Sequence, residues 1–84
     1  MSAVKHSPMC ARDEGREVYF TAKTDGKKYR FTLPRALLDD ACGDAASEAD
    51  RKDWAKAHVP DILATLTSAT AAAPFDRIRV EEIS

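Results

Sequence analysis

The sequence predicts a small α+β domain, a two-layer β-β-α-α-β arrangement in which a three-stranded, mostly antiparallel sheet carries two helices on one face. Three observations predict it. Two alternating runs flank Asp25-Gly26, two helical patterns with proper start and stop signals follow from Pro34, and alternation returns after Pro74. A sheet that is apolar on one side must bury that side, and a pair of amphipathic helices is the economical cover.

The first element is the hairpin Val18–Leu33. Asp-Gly between alternating apolar positions favours a type I′ turn, because both central residues need positive φ, which Gly adopts freely and Asp tolerates. A two-residue loop pairs Thr24 with Lys27, Ala22 with Tyr29, Phe20 with Phe31 and Val18 with Leu33. Val18, Phe20, Ala22, Tyr29, Phe31 and Leu33 then share one face, and Tyr19, Thr21, Lys23, Lys28, Arg30 and Thr32 share the other. Turn chemistry and side-chain pattern select the same register.

Pro34 near the first helical position and Gly43 just past the last bracket a short helix over Arg35–Cys42, its inner side formed by Leu37, Leu38 and Ala41. Ser47 with Asp50 three residues on forms a capping box that starts a second helix. Ala55, His58, Val59, Ile62, Leu66, Ala69 and Ala73 keep one helical phase through Pro60, which predicts one kinked helix, with the small-residue tail Thr67–Ala73 fraying. Pro74 ends it. Phe75–Ile83 is a third strand, with Ile78 and Val80 inward and Arg77, Arg79 and Glu81 outward. Residues 1–15 mix Pro8, Gly15 and charges without period and are expected to form a flexible leader, so the domain spans 16–84.

Eighty-four residues with 44% hydrophobic and 32% charged composition make one globular domain with a thin core. The longest apolar run falls far short of a bilayer span, and the first residues lack a secretory signal, so no membrane and a cytoplasmic location are expected. In a reducing compartment Cys10 and Cys42 are two thiols. The net charge of −1 argues against wholesale nucleic-acid binding. Its distribution is uneven: cations concentrate in the hairpin and last strand, whereas Asp39, Asp40, Asp44, Glu48, Asp50, Asp53 and Asp61 occupy the middle.

Val18-x-Phe20, Asp25-Gly26, Phe31, Ala36-Leu37 and then His58 followed by Ile62 resemble the small bacterial YrdB-like family, a domain of unknown function. The likeness covers roughly residues 16–83. It implies a two-layer β-β-α-α-β fold and a bacterial, cytosolic origin, and it implies no activity.

Two places carry candidate chemistry. On the outer sheet face, Tyr19, Lys23, Lys28, Arg30, Arg77 and Arg79 set five cations around a stacking surface, as single-strand nucleic-acid binders do; the same composition also suits a solvated face or an acidic protein partner. On the inner side, Trp54 and His58 stand one helical turn apart, either as a polar site between helix and sheet or as a hydrogen-bonded edge of the core. His6, Cys10, Cys42 and His58 lack the paired spacing of a metal site, so no metal and no cofactor are expected. Cys42 lies at a helix C-terminus, whose dipole discourages a thiolate, and Asp39 with Asp40 are neighbours on a solvated helix face, so an enzyme is the weakest reading. The expectation is a non-enzymatic interaction or regulatory module whose partner is a protein or a second copy as a homodimer, with single-stranded nucleic acid as the alternative.

Overall fold

The structure is a computed structural model that describes residues 6–24, 26–66 and 75–83. The hairpin forms in the expected register: β2 (Glu17–Thr24) pairs antiparallel with β3 (Lys27–Leu33), Val18 opposite Leu33, Phe20 opposite Phe31 and Thr24 opposite Lys27. Gly26 takes φ +77°, the conformation its position in the turn requires, and Asp25 lies outside the described residues. Val18, Phe20, Phe31 and Leu33 are buried, and the Phe20 and Phe31 rings stack at 5.2 Å between centroids.

Among the described residues the sheet has four strands where three were expected, in the order β1-β2-β3-β4 and antiparallel throughout. The added strand, β1 (Cys10–Arg12), comes from the stretch expected to be a leader and pairs along β2. Its three residues are too few to show a period, but the free edge of β2 supplies the partner that their sequence does not advertise. A turn over residues 13–16 joins the two, closed by the Arg16 N–H donating to the Asp13 carbonyl at 3.1 Å. Asp13, Glu14 and Gly15 all have positive φ, of 56°, 57° and 83°.

Upstream of β1, His6 faces Ala22 while Cys10 faces Tyr19, so four steps of one strand oppose three of the other. That is a β-bulge, and it holds Pro8, which has no N–H to donate. Ser7 repairs the ladder there. Its N–H donates to the Thr21 carbonyl at 2.8 Å, and its hydroxyl accepts the Thr21 N–H at 2.9 Å.

Helix α1 (Arg35–Cys42) runs between Pro34 and Gly43 as expected, buries Leu37 and Leu38, and ends with the Gly43 N–H donating to the Asp39 carbonyl at 2.9 Å. Helix α2 (Glu48–Ala57) opens on the full capping box: the Asp50 N–H donates to Ser47 Oγ at 3.1 Å and the Ser47 N–H to Asp50 Oδ2 at 3.3 Å. The predicted kinked helix is instead two, since α3 (Val59–Ala64) starts anew after His58, which sits at φ −108°, ψ 15°. Pro60 is the cause. Inside a continuous helix its ring would press on the carbonyl of Lys56, whereas in the first turn of α3 its missing N–H costs nothing. The apolar phase survives the break, because Ala55, Val59 and Ile62 are all buried. Ala69 and Ala73, and the tail Thr67–Ala73, lie outside the described residues.

The third predicted strand is shortened. Phe75–Arg77 forms a 3-10 turn, and only β4 (Arg79–Glu82) pairs with β3, placing Val80 opposite Phe31 and Glu81 opposite Arg30. The helices pack on β1 and β2 and leave β4 largely uncovered. Val80 therefore has the inward parity expected of it and is still 38% exposed.

Candidate interaction surface

The outer face is built from alternate residues of four strands. One cross-strand row holds Cys10, Tyr19, Thr32 and Arg79, and the next holds Thr21, Arg30 and Glu81. Four of the six expected binding residues, Tyr19, Lys23, Lys28 and Arg30, stand here on the hairpin, and Arg79 joins them from β4. Arg77 does not. The 3-10 turn swings it to the helix layer, where its guanidinium meets Asp40 of α1 at 2.8 Å.

Much of the remaining positive charge is already answered. Arg30 lies 3.5 Å from Glu81 across the β3–β4 pair. Arg12, which enters the face only because β1 exists, lies over the Tyr19 ring at 5.2 Å from its centroid and binds Glu17 at 2.5 Å. One face of the expected stacking platform is thus covered by the chain's own cation. Lys23 and Lys28 are exposed, and Arg79 has no ion pair among the described residues.

The outer edge of β4, along which no other strand pairs among the described residues, is the more distinctive feature. All four of its residues are exposed, as is Ile83 just beyond, at 39%. The Ile83 N–H donates to the Lys28 carbonyl at 2.9 Å, so odd-numbered residues of this strand direct their backbone groups to β3. Alternation in an antiparallel ladder then sends the N–H and C=O groups of Val80 and Glu82 outward. The other edge of the sheet differs, since β1 continues into the bulge at Pro8, a device that blunts strand pairing.

Trp54 and His58 do come together. Their rings stack at 4.3 Å, Phe75 stacks on Trp54 at 5.8 Å, and His58 Nδ1 donates to the Trp54 carbonyl at 2.8 Å. The stack and the hydrogen bond close the end of α2 against the 3-10 turn, and both rings are half-buried. Burial pushes the Cys42 thiol above its ordinary value, an effect larger than the opposing influence of Arg51, so the group stays protonated near neutral pH. No three His, Cys, Asp or Glu side chains group to hold a metal ion among the described residues, and no helix among them is long and apolar enough to cross a membrane. A cleft of about 440 Å³ lies between residues 6–9 and α2, but Lys52 on its wall is tied to Glu48 at 2.9 Å and Asp53 adds an acid beside Lys56.

Arg51 is the residue the sequence pattern concealed. It is fully buried, binds Asp39 at 2.8 Å, and donates to the carbonyls of Ala46, Asp44, Gly43 and Arg16 at 3.1–3.4 Å. It thereby fastens the α1–α2 loop to the start of β2. Its place one turn before Ala55, on the apolar stripe, was the available signal.

No family model, curated protein or solved structure matches this chain.

Proposed function

We propose that the protein is a non-enzymatic interaction module that takes a protein partner as an added strand along β4. The observation that carries this reading is the pairing of outward-directed backbone groups at Val80 and Glu82 with an exposed Val80 on an edge that carries neither proline nor bulge. A Cys42 thiol pushed up by burial and a His58 ring tied to the Trp54 carbonyl favour binding over catalysis. A bacterial, cytosolic setting belongs to the proposal on the strength of the resemblance to the YrdB-like family alone.

Nuclear magnetic resonance mapping tests it with a short alternating valine-threonine peptide as the probe. The amides of Val80 and Glu82 should shift, and Val80→Pro, which removes one outward donor, should abolish the response. A response confined to Lys23, Lys28 and Arg79, elicited by single-stranded oligonucleotide and falling steeply with salt, would replace this reading with nucleic-acid binding.

A further inference from the structure

Which partner fits the β4 edge is written in its charges, and the inference that follows rests on the edge-binding reading above. We infer that the partner is a second copy of this chain, its β4 antiparallel to the first about a two-fold axis through Val80.

Opposed residues in an antiparallel pair point to the same side. For the helix-covered faces of two copies to lie on one side of a continuous sheet, residues of equal parity must therefore oppose one another. Symmetry leaves few centres. An axis through Glu81 sets that carboxylate against itself, and an axis through Arg79 does the same to the guanidinium. An axis through Val80 sets Arg79 against Glu81 of the second copy, and the reverse contact forms by symmetry.

That register satisfies three requirements together. The outward N–H and C=O of Val80 meet their own counterparts in a hydrogen-bonded pair. The exposed Val80 side chains cover one another on the inner face. Arg79, which lacks an ion pair among the described residues, gains a carboxylate, while Glu81 remains within reach of Arg30. Opposite charges two residues apart on one edge strand are self-complementary only when that strand pairs with itself in this way. Among the described residues the blunted β1 edge leaves β4 as the sheet's open side, and the product joins the four described strands of each copy into one sheet.

Sedimentation of the full chain over a wide range of concentration tests the pairing. Mass should rise from monomer towards dimer. Glu81→Arg should weaken association about tenfold or more by setting like charges opposite each other, and adding Arg79→Glu should restore it. In a Cys10→Ser, Cys42→Ala background, Val80→Cys should form an intermolecular disulfide on oxidation while Glu81→Cys should not, because only residue 80 faces its own copy within bonding distance. A mass that stays monomeric, a double charge reversal that fails to restore association, or cross-linking at residue 81 instead of residue 80 overturns the inference. If mass stays monomeric while the valine-threonine peptide still shifts the Val80 amide, self-pairing falls and the edge reading stands. If neither occurs, both fall.

Discussion

A single buried guanidinium holds the join between the helices and the hairpin. Arg51 is surrounded by four carbonyl oxygens and Asp39, so removing it takes one shared donor from all of them and empties the space of a fully buried side chain. Arg51→Ala should cost about 3 kcal/mol, a large share of the stability of so small a domain, and chemical denaturation measures it. The pair also makes stability pH-dependent. The hydrogen bond from Arg51, aided by the charges of Arg51 and Arg35, holds the Asp39 carboxyl below its ordinary 3.8 against the opposing effect of burial. A depressed carboxylate stabilises the fold above its unfolded-state value and loses that contribution as pH falls through the folded one. Thermal melts of wild type and Asp39→Asn should therefore differ at neutral pH and converge below about pH 4. A gap that persists unchanged into acid would contradict the assignment.

At the scale of elements, legibility followed the length of the pattern. The hairpin register, both ends of α1 and the capping box of α2 were legible because turn, cap and periodicity each select the same geometry. Strand β1 was not. Three residues cannot display a period, and their pairing depends on the β2 edge and on a strained turn. Gly15 in that turn shows how tight the junction is: a Cβ there would stand 2.9 Å from the Cβ of Glu48, at φ +83°. Gly15→Ala should destabilise the protein by about 2 kcal/mol, through both the left-handed backbone and the clash with α2, as read by denaturant midpoint. The break at His58 was hidden for a different reason, since the apolar phase continues through Pro60 and only the backbone reveals the restart. Among candidate site residues, Tyr19, Lys23, Lys28, Arg30 and Arg79 share the outer face as their parity implies. Arg77 was misplaced because the 3-10 turn over Phe75–Arg77 interrupts the alternation before β4 begins.

For the whole molecule, the two edges of one sheet are treated unequally. The β1 side ends in a proline-bearing bulge repaired by Ser7, whereas the β4 side presents backbone groups with no partner strand among the described residues, an exposed valine and charges of both signs. Among the described residues the helices pack mainly on β1 and β2 while β4 is exposed along its length, so the uncovered apolar surface and the outward backbone groups lie at the same margin. A dimer through that margin adds few residues to a thin core, and association is expected to be weak and concentration-dependent. Amide hydrogen exchange at Val80, followed as the protein is diluted, tests this most directly: protection should be high in concentrated solution and fall on dilution, while the amides of Phe20 and Phe31 stay protected throughout. Exchange at Val80 that is fast at every concentration, or slow at every concentration, would contradict an edge held open for a second strand.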